Sequence, residues 1–158
     1  MKRIYTILIA INFLGSILGC GLMTGKGDAE QVAESFLQDR IVNGGFAGDD
    51  KYYSDIFWQH TNEKTWENIN QLVEDALGDL NSYSLKTWKT QSKVHTSQLS
   101  GTFVVLVYDT EYEKGNGQET LTMHKGVQGQ DYLILGHHID SPRIQELIYK
   151  GIQQIAGN

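Results

Sequence analysis

One cysteine and five histidines are the residues best suited to chemistry in this 158-residue sequence. His137 and His138 are adjacent, which raises the question of a metal site. Neighbouring side chains on a strand point to opposite faces, so the two imidazoles cannot bind one ion unless a bulge intervenes. The sequence also lacks the C-x-x-C and H-E-x-x-H spacings of common zinc sites. We therefore predict no metal site and no cofactor.

The single cysteine, Cys20, stands at the end of a long apolar segment. Lys2 and Arg3 precede this segment, which covers residues 4–18. That is the length of a secretory signal and is shorter than the ~20 apolar residues of a membrane-spanning helix. A lone cysteine cannot form an internal disulfide, although the signal predicts export to an oxidising compartment. Alkylation of its sulfur would explain why the residue is there.

The tetrapeptide Ile17-Leu18-Gly19-Cys20 resembles the lipobox of bacterial lipoproteins. The resemblance implies cleavage between Gly19 and Cys20 and attachment of palmitate or similar acyl chains to the sulfur and the amine of Cys20. Each buried methylene contributes ~0.8 kcal/mol, so two or three chains anchor a protein stably. The resemblance also implies an exported protein that is lipid-anchored to a bacterial membrane, the outer one where there are two, and not cytoplasmic. Two alternatives stay open, an uncleaved anchor and an ordinary signal peptide followed by a free thiol.

These features divide the chain into a signal peptide (1–19), a lipidated cysteine with a short tether (20–27) and a single α+β domain (28–158). An apolar content of 40% and a single proline argue against disorder. The net charge of −6 becomes more negative once the signal peptide is removed, which argues against nucleic acid as a partner. The predicted partners are the membrane, through the lipid on Cys20, and an unknown envelope protein or small ligand.

Apolar residues recur at helical spacing in four segments and follow strand patterns in four others. The predicted elements, in chain order, are helices at 28–45, 49–61 and 62–80, strands at 83–98, 101–112, 119–125 and 131–139, and a helix at 140–158. Helices that are segregated from strands predict the α+β class. We expect N-terminal helices packed on a curved antiparallel sheet of about four strands, plus a C-terminal helix.

Local signals predict the details of these elements. Asp28 is a candidate N-cap of the first helix, and Ser141 with Pro142 predicts the start of the last one. The dipeptide Asn116-Gly117 predicts a hairpin turn between the second and third strands. Apolar residues on both faces of 103–108 predict a strand that is covered on both sides. A run of acidic residues on the third helix is typical of a solvated face (Glu67, Glu74, Asp75 and Asp79).

Two longer sequence segments resemble the nuclear transport factor 2-like superfamily. They are TWENINQLVEDALGDLNS at 65–82 and FVVLVYDTEYEKGNGQETLTMHKGVQGQDYLILGHHI at 103–139. Trp66 opens the third helix and Leu77-Gly78-Asp79-Leu80 ends it, as in small lipoproteins of that superfamily, and 131–137 matches the final hairpin loosely. The resemblance implies a cone, in which helices close a curved sheet around a cavity at the wide end. The helix after Ser141 is a departure that could plug the cone, dock outside it or pair with another subunit.

The resemblance also implies where a pocket would lie. Enzymes of this superfamily, such as ketosteroid isomerases and polyketide cyclases, use an Asp, Tyr or His inside the cone for proton transfer. Residues of these types on or near the strands are Tyr108, Asp109, Tyr112, His124, His137 and His138. The predicted pocket residues are Tyr52, Tyr53, Phe57, Tyr108, His124 and His137. No single side chain stands out as a base, so we predict no catalytic residue.

Three hypotheses follow from these observations. The first is a membrane-anchored lipoprotein whose domain binds a partner protein or small ligand without catalysis. The second is a small enzyme of the ketosteroid isomerase or polyketide cyclase type. The third is a structural, self-associating domain, such as a homodimer, because the terminal helix carries an apolar stripe.

Overall fold

The computed structural model describes residues 20–46, 48–93, 99–129 and 131–156, and it describes the backbone alone at 20–24, 93 and 151–156. The predicted signal peptide, including Gly19, lies outside these residues. Within these ranges the chain forms four α-helices, a short 3₁₀ helix and four strands. In chain order these are α1 (Cys20–Asn43), the 3₁₀ helix (Asp49–Tyr52), α2 (Asp55–His60), α3 (Glu63–Leu77), β1 (Leu80–Lys93), β2 (Gly101–Tyr112), β3 (Gly115–Gly126), β4 (Leu133–Asp140) and α4 (Pro142–Ala156).

The strands form one antiparallel sheet in the order β1-β2-β3-β4, which confirms the predicted α+β class. Register shifts interrupt β1 at two points and the β3–β4 pairing at one, and such bulges bend a sheet. The curved sheet packs one face against α1. The core between them contains Ala29, Ala33, Phe36 and Leu37 from the helix and Val104, Leu106, Leu121, Met123 and Ile134 from the strands.

The predicted start of α1 at Asp28 is wrong, because the helix begins at Cys20. The segment 20–27, assigned to a tether from its glycines, is therefore helical. Gly25 allows close contact with the loop before β4, since a Cβ there would lie 3.0 Å from the Tyr132 hydroxyl. The next residue, Lys26, forms an i,i+4 ion pair with Glu30. The contact with the loop before β4 thus stabilises a helix at 20–27, although the glycines of this segment have a low helix propensity.

The predicted hairpin turn at Asn116-Gly117 is also wrong. The chain turns at Glu113 and Lys114, whose amides donate to the carbonyls of Asp79 (3.0 Å) and Leu77 (2.8 Å). Gly117 lies inside β3, where a Cβ would approach the Asp140 carbonyl to 3.2 Å. Contact with the end of α3 therefore places the turn, and the glycine permits close packing instead.

The expectation that β2 is covered on both faces is wrong in the part of the chain that the structure describes. Val104, Leu106 and Tyr108 are fully buried, whereas Val105 and Val107 on the other face are only half-buried. Threonines on β3 lie opposite these two valines across the strand pair. The β-branched residues of this outer face therefore pack mainly against their neighbours within the sheet.

Helix α4 packs against α3 and β3. As predicted, it begins after Ser141, whose hydroxyl accepts from the Arg143 amide at 3.3 Å. Ile144 is buried, and the Arg143 Nε atom donates to the Ala76 carbonyl on α3. Leu147, Ile148 and Tyr149 stay exposed. The helix therefore packs against α3 and leaves these three side chains at the surface.

Candidate functional site

Five polar side chains meet inside the fold, and we call them the Arg40 network: Arg40, Tyr53, Tyr112, Glu119 and His137. The Arg40 guanidinium donates to Glu119 Oε2 at 2.7 Å and to the Tyr112 hydroxyl at 3.2 Å. The Tyr112 hydroxyl in turn donates to Glu119 Oε1. His137 Nε2 lies 2.8 Å from Glu119 Oε2, and the Tyr53 hydroxyl lies 2.9 Å from His137 Nδ1. The network therefore joins α1, the strands β2, β3 and β4, and the segment before α2.

The positions of these residues follow from the local structure. Arg40 lies on the buried stripe of α1, four residues after Phe36 and three after Leu37. Glu119 lies two residues before Leu121 on β3, and Leu121 pairs with His137 on β4, so all three point to the inner face. The segment that holds Tyr53 is tied to β4 by the Ser54 amide, which donates to the Ile134 carbonyl at 2.9 Å.

Charge in the network is balanced by the Arg40–Glu119 ion pair. Burial disfavours the ionised form of Glu119, but Arg40 and hydrogen bonds from His137 and Tyr112 outweigh it and lower the pKa of this carboxyl to about 2. Burial also disfavours charge on Arg40, yet Glu119 raises its pKa above the usual value. Both groups are therefore ionised in the folded protein, with side chains 2% and 0% exposed.

His137 is neutral in this arrangement. Burial lowers the pKa of its imidazole, and the favourable contact with Glu119 does not compensate. The contact with Glu119 is thus a hydrogen bond donated by Nε2–H, which leaves Nδ1 to accept from the Tyr53 hydroxyl. We assign this tautomer from the hydrogen-bond partners. Burial raises the pKa of Tyr53 well above its normal value, so the phenol keeps its proton.

Aromatic rings close the network off from solvent. The Arg40 guanidinium lies 3.9 Å from the centre of the Phe46 ring, and the Trp66 ring lies 5.6 Å from the His137 ring. Phe36 packs edge-on against His137 from the side of α1. The donors and acceptors of Glu119 and His137 are therefore used inside the protein, behind a wall of rings.

Asp49 is a second buried carboxyl, close to this network. Unlike Glu119, it has no ion pair or set of hydrogen bonds in the described structure that offsets its burial. Only 3% of the residue is exposed, and its Oδ2 atom has no hydrogen-bond partner among the described residues. Burial raises its pKa to about 7, although Arg40 acts in the opposite direction. Asp49 is therefore protonated in a large fraction of molecules near neutral pH.

The structure brings three of the six predicted pocket residues together. Tyr53 stacks on Phe57 with ring centres 4.5 Å apart, and it binds His137 as described. The other three lie apart from them. Tyr52 donates to Asp39 at 2.7 Å, Tyr108 packs against Tyr83, and His124 packs against Phe103 near the start of β2.

The other strand residues that could transfer protons are elsewhere. Asp109 is exposed and pairs with Lys86 at 3.0 Å. His138 is exposed on the outer face, opposite in direction to His137. Across the described ranges, no group of three His, Cys, Asp or Glu side chains could hold a metal ion.

Sequence reasoning missed Arg40 and Glu119, although a signal for both was present. Arg40 interrupts an apolar stripe of α1, and Glu119 occupies the same alternation as Leu121 and Met123. A charged residue at a core-facing position of one element predicts an opposite charge at such a position in another, because unpaired buried charges are costly.

Two surface depressions accompany the closed network. A groove of about 510 Å³ runs beside α1 and is lined by Asp28, Gln31, Tyr52, Lys125 and Tyr132, among others. A second depression, which we call the aromatic cleft, has a volume of about 300 Å³ and lies between the 3₁₀ helix, α2 and α3. Phe46 and Trp66 line this cleft. The same two rings thus separate it from the Arg40 network.

The predicted lipidation site is the first residue of α1. The structure describes the backbone of Cys20. None of the helices in the described ranges is long and apolar enough to span a membrane.

The architecture is compatible with the cone of the nuclear transport factor 2-like fold: α1 and the shorter helices pack on a curved four-stranded antiparallel sheet. No protein-family model matches this chain, and no match is found among curated proteins or among solved structures.

Proposed function

We propose that the protein is an exported lipoprotein, anchored by acyl chains on Cys20, whose α+β domain binds another molecule without catalysing a reaction. The observation that carries the anchor is the sequence Ile17-Leu18-Gly19-Cys20 at the end of the apolar segment. The cysteine is the only one in the chain, so it has no disulfide partner within the protein.

The Arg40 network supports a role without catalysis. A general base or acid must come within hydrogen-bond reach of the substrate. Glu119 and His137 have fully buried side chains, and their hydrogen bonds go to other members of the network. In contrast, the groove beside α1 and the aromatic cleft are lined by residues that do not belong to the Arg40 network.

Mass spectrometry of the full chain, expressed in a bacterium and extracted with detergent, tests the anchor. We expect an N-terminal peptide that begins at Cys20 and carries diacylglyceryl and acyl groups. A Cys20→Ser variant should keep the signal segment and lose the acyl groups, because serine offers no thiol to alkylate. An unmodified thiol at Cys20 in the wild-type protein would contradict the proposal.

A second candidate is an enzyme of the ketosteroid isomerase type, favoured by the chain of hydrogen bonds from Tyr53 through His137 to Glu119. A substrate would reach these hydrogen-bonded side chains only if the ring of Phe46 or Trp66 moved. A 5-en-3-oxosteroid assayed with the wild type and with Glu119→Gln separates the two functions. Turnover by the wild type that Glu119→Gln abolishes would favour the enzyme, whereas we expect no turnover by either protein.

A further inference from the structure

The aromatic cleft combines aromatic rings with an unneutralised set of carboxylates. Trp58, Trp66 and Phe46 line it, and of these Phe46 and Trp66 are each only 8% exposed. Such rings form a floor of low polarity whose faces carry partial negative charge. The floor is therefore suited to an apolar or cationic group and not to an anion.

One face of α3 supplies most of the acidic lining. Glu63, Glu67 and Glu74 follow one another at helical spacing, with Trp66 between the first two. Asp50 adds a fourth carboxylate from the 3₁₀ helix on the opposite side. Among the described residues that line the cleft, these four are the ionisable ones, and no Lys or Arg lies with them.

The nearest lysine in sequence to Asp50 does not change this balance. Lys51 extends away from the cleft, where its ammonium pairs with Asp39 at 2.8 Å and lies over the Tyr52 ring. Asn70, which also lines the cleft, has a buried Oδ1 atom without a hydrogen-bond partner in the described structure. This oxygen adds further negative potential to a cavity whose walls have low dielectric constant.

The carboxylates do not form a metal site. Three or more ligands must converge on one point to hold a divalent ion, and no such group exists among the described residues. Spread around an aromatic floor, the carboxylates instead favour a cation that is large enough to cover the rings. A cation over the face of a tryptophan is attracted by the ring quadrupole, most strongly where water is excluded.

We propose that the aromatic cleft binds an organic cation with an alkylammonium head group. The head group lies against Trp58 and Trp66, and Glu63, Glu67 and Asp50 neutralise its charge. This ligand class gives a chemical identity to the proposed binding function, on which the inference rests. Failure to bind such a cation would leave the acylation of Cys20, measured separately, unaffected.

Choline and its neutral isostere 3,3-dimethylbutan-1-ol test the proposal, because they differ in charge and hardly in shape. The full chain is titrated in a maltoside detergent, and tryptophan fluorescence reports on the cleft. A Trp88→Phe background removes the third tryptophan, which lies on β1 outside the cleft. We expect a saturable change with choline and none with the alcohol. Equal responses to both compounds, or no saturable response to choline, would overturn the proposal.

Two variants separate a cleft effect from a general one. Trp58→Leu should weaken choline binding roughly three- to thirtyfold, the range expected when one cation–π contact is lost. The exposed pair Glu63→Gln/Glu67→Gln should weaken it roughly two- to tenfold and should not affect folding. The matched control Glu146→Gln removes an exposed carboxylate on α4 and should leave binding unchanged. Equal weakening by the control and by the cleft variants would refute the assigned position.

A final arm identifies the source of the cation. Phosphatidylcholine or phosphatidylglycerol is added to the micelles before choline. Competition by phosphatidylcholine alone supports a lipid head group as the natural ligand. Undiminished choline binding in both micelles supports a free solute.

Discussion

The Arg40 network and the aromatic cleft lie on two sides of the same rings, Phe46 and Trp66, yet they treat charge in opposite ways. Inside, one guanidinium meets one carboxylate, and tyrosine and histidine add further hydrogen bonds to this pair. Outside, four carboxylates line the cleft and no cation lines it with them. The paired charges of the Arg40 network therefore stabilise the fold, whereas the carboxylates of the aromatic cleft are placed where a cationic ligand could neutralise them.

Removal of Arg40 should have the largest effect on stability. Arg40→Leu leaves the fully buried Glu119 without its counter-charge, and breaking such a pair costs about 3–5 kcal/mol. Urea unfolding followed by circular dichroism measures the change. Lys86→Leu, which breaks an ion pair whose side chains are half-exposed, is the control and should cost less than about 1 kcal/mol. Equal losses in the two variants would contradict the distinction between buried and exposed charge.

Asp49 should make the free energy of unfolding fall by roughly 2 to 4 kcal/mol as the pH rises from about 4 to about 7. Its folded pKa of about 7 exceeds the usual value, so the folded state binds the proton more tightly than the unfolded state. The contribution is present below about pH 4 and is lost between about pH 4 and pH 7. Asp49→Asn should remove this decline, as measured by urea unfolding across that range. Parallel pH profiles for the two proteins would show that the carboxyl is not held protonated.

Glu119 should act in the opposite pH window. Its folded pKa of about 2 lies below the usual value, so its contribution is present above about pH 4 and is lost as the pH falls towards 2. Unfolding of wild type in acid should therefore be steeper than unfolding of an Arg40→Leu/Glu119→Leu protein, which lacks both charges. An unchanged acid transition in the double variant would contradict the assignment.

Tyr53→Phe should cost about 1–2 kcal/mol, because it leaves the buried His137 Nδ1 atom without a donor. Tyr83→Phe removes a long, exposed hydrogen bond to the Glu34 carbonyl and serves as the control, with an expected cost below about 0.5 kcal/mol. Thermal unfolding of the two variants at one pH gives the comparison. A smaller loss for Tyr53→Phe than for Tyr83→Phe would remove Tyr53 from the network.

The smallest effect on stability should come from the cleft. Glu63→Gln/Glu67→Gln removes two exposed like charges four residues apart on one helix, which is neutral or stabilising by a few tenths of a kcal/mol. The same unfolding experiment tests this. A loss above about 1 kcal/mol would assign these carboxylates to the fold and not to a ligand.

The element types were predictable from sequence because periodicity records which faces are buried. The end of α3 and the start of α4 followed from Gly78 and Ser141, which act locally through backbone conformation or a side chain. The start of α1 and the β2–β3 turn were mispredicted because distant contacts decide them. Tyr132 meets the helix at Gly25, and the end of α3 holds the turn at Glu113 and Lys114.

The candidate sites were less predictable than the fold. Chemical type and position in the predicted elements predicted a pocket of six residues, Tyr52, Tyr53, Phe57, Tyr108, His124 and His137. Of these, Tyr53, Phe57 and His137 lie together. Their partners Arg40 and Glu119 lie 79 residues apart in sequence, and only the packing of α1 on β3 brings them together. The aromatic cleft likewise depends on how the 3₁₀ helix lies against α3, which no local pattern records.

The uninterrupted course of α1 has a mechanical consequence. Twenty residues at a rise of about 1.5 Å place Arg40 about 30 Å along the axis from Cys20. If Cys20 carries the proposed acyl chains, a helix of this length would restrict the tilt of the whole domain relative to the bilayer and would transmit tension from the anchor to the interior around the Arg40–Glu119 ion pair.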